Sequence, residues 1–174
     1  FGGIMGGTMS GCSENTTNVF LESAWFEPIS TAITGRSFGI ESDARYRFER
    51  GVDPMALQDG IEQATALILE LCGGEASEVV STGIAPSIGK TVTFRAERVM
   101  SLGGLDLPAE TSVAILERLG FTVEGNGPFT VTVPSWRRDV DGEADLVEEV
   151  LRIHGLNNVP SVALPPLGKK AGST

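Results

Sequence analysis

The chain has 174 residues, of which 41% are hydrophobic and 6% aromatic, enough for one ordinary domain or two small ones packed mainly by aliphatic side chains. Its formal charge of −10 argues against independent, non-specific nucleic-acid binding, which needs a surplus of Lys and Arg to displace counterions. No apolar run approaches the ~18 residues that span a bilayer, so neither a membrane segment nor a signal peptide is read.

Cys12 and Cys72 match no metal-ligand spacing and read as reduced thiols of a cytosolic protein. Phe1 runs straight into GGIMGG without a polar lead-in, which reads as a piece of a longer polypeptide. From there a glycine-rich segment (2–11) and a polar turn (13–18) lead into strand formers at 19–26, which Pro28 is expected to end. A loop over 34–41 follows, then a short helix with Ser42 as N-cap and Gly51 just beyond its end. Asp53 then caps the clearest helix, with Pro54 at its first position, where the missing N–H costs nothing. Leu57, Ile61, Ala64, Ile68 and Leu71 make one apolar stripe, and Gly73-Gly74 closes the helix.

Residues 79–84 read as a strand and 85–90 as a linker, which places a domain boundary there. The second half then predicts a strand at 91–94, helices at 96–102 and 109–119, and a hairpin of 121–124 with 129–133 around Gly125-Asn126-Gly127. A last helix is expected at 143–154, ended by Gly155, with a linker-like tail from 161 onward. The whole is an α+β protein whose second unit resembles a winged helix.

Five groups of residues are candidates for chemistry. Glu22 is the only charge in VFLESAWF, and strand alternation puts it on the face of Phe20, Ala24 and Phe26. A buried lone carboxylate is costly, so it is either a pocket group accepting a ligand's hydroxyl or amine, or it lies in solvent or pairs with Arg36 or Arg47. GGIMGG lacks the GK[ST] ending of a phosphate loop; it is either a pocket wall or a tight turn beside a packed strand. Arg45, Arg47 and Arg50 could meet phosphates, but in so acidic a chain they are better read as paired to neighbours. Asp145, Glu148 and Glu149 share one helical face, with Asp139 just upstream, and a hard divalent cation would relieve their repulsion. Acids early in a helix also suit its dipole, which accounts for Glu143 and Asp145 without a metal but not for Glu148 and Glu149. His154, the only histidine, sits where a helix end is capped, and no Ser/His/Asp or Cys/His constellation can be assembled.

These segments taken together resemble a known family. GGIMGG, NVFLESAWFEP, ITGRSFG, ESDARYRFERGVDP and a helix ending LCGGE are similar to the second part of the editing domain of bacterial phenylalanyl-tRNA synthetase beta subunits. RAERVMSLGG, LERLGFTV and VTVPSWRRDVDGEADLVEEVLRIHGLNNVP are similar to the module that follows it. The resemblance implies residues 1–86 as the C-terminal part of a mixed α/β tRNA editing domain, 87–160 as a small winged-helix-like module, and 161–174 as linker or tail.

It further implies a cytoplasmic ligase of two alpha and two beta subunits that attaches phenylalanine to tRNA(Phe) with ATP, the ATP not being bound by this segment. Glu22 matches the glutamate that recognises the hydroxyl of mischarged tyrosine. Gly6 matches a pocket-wall glycine and Ala44 a small lining residue, while Ser42 stands where many relatives have Thr. Hydrolysis in that pocket is by water, assisted by the substrate and without a dedicated nucleophile. Asp139, Asp145, Glu148 and Glu149 match a magnesium site shared with the alpha subunit. The resemblance puts a histidine and an arginine of the family's pocket upstream of Phe1, and the family's tRNA-binding, catalytic-like and anticodon-binding domains outside this segment, so this segment alone is expected neither to aminoacylate nor to edit efficiently. A winged-helix nucleic-acid module is a competing reading, weakened by Glu110 and Glu117 on the helix at 109–119 beside Arg118, its one cation. A structural scaffold is the other.

Overall fold

The computed structural model describes residues 1–84, 86 and 89–163. It is α+β, with a three-stranded sheet and six α-helices among the described residues. The chain divides into two compact units. Unit 1 comprises residues Phe1–Gly89 and the four residues Ser135–Arg138; unit 2 comprises Lys90–Pro134 and the described residues from Asp139 onward.

Unit 1 is helical. α1 (Pro28–Phe38) begins where the sequence pattern predicted the end of a strand and a loop. The cause is local: Pro28 occupies the first helical position, and the Glu27 carboxylate accepts hydrogen bonds from Ile29 N at 3.2 Å and Ser30 N at 2.6 Å. α2 (Asp43–Phe48) is capped by Ser42, as its sequence predicts. A 3₁₀ turn, Pro54–Ala56, is capped by Asp53 and leads directly into α3 (Leu57–Cys72).

Two predicted strands do not form. Residues 19–26 and 79–84 carry the right side chains, but no described strand of unit 1 offers them a pairing partner. The apolar stripe of α3 is only half-buried, and Leu71 at its end is exposed. Of the predicted linker 85–90, residues 85, 87 and 88 lie outside the described residues and Lys90 already belongs to a strand. The predicted tail lies outside them from residue 164 on.

Unit 2 follows its sequence closely. β1 (Lys90–Phe94), α4 (Glu97–Gly103), α5 (Ala109–Arg118), β2 (Thr122–Glu124), β3 (Phe129–Val133) and α6 (Glu143–His154) fall within a residue or two of expectation. The sheet order is β1-β3-β2, antiparallel throughout, with Val92 opposite Val131 and Phe94 opposite Phe129. Alternation sends Val92, Phe94, Val131 and Val133 inward and the intervening threonines outward. α6 packs on β1, α4 and α5, closing a core with Val99, Leu116, Leu146, Val147 and Val150. No helix among the described residues is long and apolar enough to cross a membrane.

Candidate functional site

The glycine segment at the start of unit 1 is shaped by one aromatic ring. A Cβ at Gly2 would lie 2.7 Å from Phe26 and one at Gly3 2.8 Å from it, so the backbone lies directly on that ring. Gly3 also adopts a φ of +68°, which side-chain-bearing residues rarely reach. Ile4 is buried, whereas Gly6 faces open space. Phe26 in turn meets Phe48 of α2 edge-on, with ring centroids 4.9 Å apart.

Ser42 joins the same two elements. Its hydroxyl donates to the Ile4 carbonyl, and its oxygen accepts from Arg45 N at 3.1 Å, so one side chain caps α2 and fixes it to the glycine segment. Ala44, in the first turn of α2, is exposed. Ser42, Ala44 and the segment carrying Gly6 therefore belong to one neighbourhood. An open depression beside it is lined by Glu41, Ser42, Asp43, Arg45, Tyr46 and Glu49.

Glu22 is exposed and makes no hydrogen bond or ion pair with a described residue, neither Arg36 nor Arg47 included. Its neighbour Ser23 is anchored: the Ser23 hydroxyl donates to the Leu57 carbonyl at 2.8 Å. No hydrogen bond joins Glu22 to Gly6, Ser42 or Ala44. The structure thus ties Ser42 and the start of α2 to the segment that carries Gly6, and leaves Glu22 with its carboxylate open to solvent.

The arginines are held by their own segment. Arg45 donates to Glu49 at 3.0 Å and to the Ile40 carbonyl at 2.6 Å, crossing Gly35 of α1 where no side chain obstructs it. Arg47 faces Asp43, and Arg50 stacks over the Tyr46 ring at 3.7 Å while reaching Glu49. Only Arg45 and Glu49 in this group are substantially buried.

The acidic residues of unit 2 are spent differently. Asp145 Oδ2 accepts from the backbone N of Asp141 at 2.7 Å and of Gly142 at 2.8 Å, at the start of α6. Glu149 is buried and pairs with Arg152 through both carboxylate oxygens. Glu148 is exposed, and Asp139 is exposed but has an interaction of its own. These are oxygen donors of the kind magnesium takes. Among the described residues, however, no three Asp, Glu, His or Cys side chains are arranged to hold a metal ion, so the set does not form a ready-made site. His154 lies at the end of α6, where its carbonyl accepts from Asn158, and Cys12 and Cys72 are free and exposed.

Sequence reasoning missed what holds this neighbourhood. Asp53 was legible as a cap, but its second oxygen accepts a hydrogen bond from Ser135, 82 residues away. Arg138 lies over Gly51, which has a φ of +88° and leaves the guanidinium room that any Cβ would take. Neither contact leaves a local signal in the sequence.

Comparison with known proteins accounts for nearly the whole chain. Residues 1–73 match the B3/4 domain family and residues 92–156 the tRNA synthetase B5 domain family. The phenylalanine–tRNA ligase beta subunit of Mesorhizobium japonicum is 54% identical over 95% of the chain, and that of Rhodospirillum rubrum 55% identical over 94%. The corresponding subunit of Brucella abortus is 52% identical over 98%. The chain spans about a fifth of the length of each of these relatives.

Proposed function

We infer a function from one premise: the chain belongs to the family of phenylalanine–tRNA ligase beta subunits. On our reading, residues 1–86 form the C-terminal part of an editing domain, residues 87–160 a winged-helix-like module, and residues 161–174 a linker. The segment contributes part of a site that hydrolyses tyrosyl-tRNA(Phe). It works inside a cytoplasmic enzyme of two alpha and two beta subunits that attaches phenylalanine to its tRNA with ATP. The ATP is used elsewhere in that enzyme, and this segment alone neither aminoacylates nor edits efficiently.

The observation that carries the reading is the state of Glu22. A carboxylate without a partner among the described residues, beside an anchored serine, is free to accept a hydrogen bond from a phenolic hydroxyl. Tyrosine supplies that donor and phenylalanine does not, so a phenylalanyl ester would leave the carboxylate unpaired and bind less well. Gly6, Ser42 and Ala44 line the same pocket with small groups. Water attacks the ester carbonyl, the bond to the tRNA 3′-end oxygen breaks, and tyrosine and free tRNA result. Glu22 selects the substrate; it is not the nucleophile.

The test is deacylation of tyrosyl-tRNA(Phe) by full-length beta subunit assembled with alpha, with and without Glu22→Ala. The variant is expected to lose roughly ten- to hundredfold in preference for the tyrosyl ester, the scale of one hydrogen bond to a charged group. An intact enzyme that leaves the ester untouched would instead make this domain a retained scaffold.

Magnesium at Asp139, Asp145, Glu148 and Glu149 is the second assignment, and it requires the alpha subunit. Asp145 and Glu149 are engaged by their own chain, so further oxygen donors must come from outside it. Calorimetric titration of magnesium is expected to show a saturable site in the alpha–beta enzyme that Glu148→Gln weakens, and none in this chain alone. Equal binding by both would overturn the shared site.

A further inference from the structure

The four residues Ser135–Arg138 cluster with unit 1, although the sequence before and after them belongs to unit 2. Ser135 Oγ donates to Asp53 Oδ2 at 2.8 Å, in a partly buried bond. The other oxygen of Asp53 accepts from Met55 N at 2.9 Å, so one carboxylate fixes both the long-range contact and the 3₁₀ turn after it. Three residues after Ser135, Arg138 meets Gly51, whose place in the chain is also set. Its N–H closes on the Phe48 carbonyl at 3.0 Å, and the Arg138 guanidinium fills the space its missing side chain leaves.

Both parts of the proposed pocket hang from this turn. On one side, Gly51 ends the α2 segment, whose opposite end carries Ser42 and Ala44. On the other, Leu57 begins α3 and accepts the Ser23 hydroxyl next to Glu22. Ser23 also lies against Gly60, where an added Cβ would come within 3.2 Å of its oxygen. A path of direct contacts and short backbone therefore runs from Ser135 through Asp53 and Leu57 to Ser23. The backbone N–H groups of Ser30 and Ile29, with the Ser30 side chain, hold the carboxyl of Glu27, the α1 cap, below its usual range, and the charge of Arg138 adds the smallest contribution.

We propose that Ser135 and Arg138 are positioning residues for the Glu22 segment and for α2, acting by fixing the turn over residues 51–57 on which both are set. They touch no substrate. The inference rests on the editing role of Glu22, and a misplaced glutamate would register as lost discrimination rather than lost chemistry.

The test uses the enzyme assembled from full-length alpha and beta subunits. Ser135→Ala is expected to lower the ratio of kcat/KM for tyrosyl- over phenylalanyl-tRNA(Phe) deacylation by about three- to tenfold. Ser135→Thr, which keeps the hydroxyl, should restore the ratio, and phenylalanine attachment should be unchanged in both. Hydrogen exchange on the same preparations should show residues 22–24 and 51–57 exchanging faster in Ser135→Ala, with α5 unaltered. An unchanged ratio with unchanged exchange overturns the proposal, as does a lowered ratio that Ser135→Thr fails to restore. A wild-type enzyme that never deacylates the tyrosyl ester sinks the editing reading instead. The positioning of the Glu22 segment then stands or falls on the exchange of residues 22–24 and 51–57.

Discussion

Glu143 shows how much a single carboxylate can organise. Its Oε1 accepts from the backbone N of Arg95 at 2.8 Å and from Arg95 Nε at 3.0 Å, and its Oε2 accepts from Arg95 Nη2 at 2.6 Å. Arg98 Nε lies 3.5 Å from the same oxygen. The bonds from the Arg95 side chain, aided by its backbone N–H and by the charges of both arginines, hold the Glu143 carboxyl below the usual range against the opposing cost of burial. A depressed folded-state pKa makes the sign definite: the contribution is fully present above the ordinary glutamate value of about 4.3 and is lost as pH falls through the depressed one. Urea midpoints of the chain should therefore drop below about pH 4.3, and Glu143→Gln should flatten part of that drop while lowering stability at pH 7. If the variant lost stability in acid as steeply as the parent, Glu143 would not be a source of the acid sensitivity. The first-turn position of Glu143 was visible in the sequence and fitted the helix dipole, but the arginine fork 48 residues away was not.

At the scale of elements, the pattern of hydrophobic residues was readable wherever the partner was local. The hairpin of β2 and β3, the caps of α2 and of the turn before α3, and the termini of α5 and α6 all follow from residues within a few positions. Residues 19–26 and 79–84 failed as strands for the complementary reason, since alternation describes a face but does not supply a neighbour to bond. α1 was missed because Ile29, Thr31, Ile33, Thr34 and Gly35 are weak helix formers, and the Glu-Pro start outweighed them. The same reasoning that placed Asp53-Pro54 at a helix start applied equally to Glu27-Pro28.

Gly35 itself supplies a test at this scale. Gly→Ala inside a helix ordinarily stabilises by about 0.8–1.0 kcal/mol. Here the new Cβ would collide with the Arg45 side chain at its Nε and Cδ, displacing it from Glu49 and from the Ile40 carbonyl. Hydrogen bonds of charged groups are worth about 1.5–3 kcal/mol each, so their loss should outweigh the helical gain. Gly35→Ala is therefore expected to destabilise unit 1 by about 1 kcal/mol or more, read from chemical denaturation. A stabilised variant would mean that Arg45 swings aside at no cost.

Across the whole molecule, burial is divided unequally. Among the described residues, thirteen of the fourteen buried hydrophobic side chains belong to unit 2, where they form one continuous cluster, and Ile4 is the single such residue described in unit 1. Unit 1 instead exposes Phe20, Leu71, Val80 and Ile84. Apolar area removed from water is the main favourable term in folding, so resistance to opening should follow the same division. Hydrogen exchange of the chain should find β3, α5 and α6 the slowest elements and α3, whose stripe is only half-covered, far faster. Leu116 is a fully buried member of the unit 2 cluster. Leu116→Ala should cost that unit about 2–5 kcal/mol, lost transfer energy together with the cavity left behind. The exchange of β3, α5 and α6 should accelerate accordingly, while α3 keeps its original rate. Acceleration of α3 by the same factor would show that the two units open together, and the division of the core would then not be a division of stability.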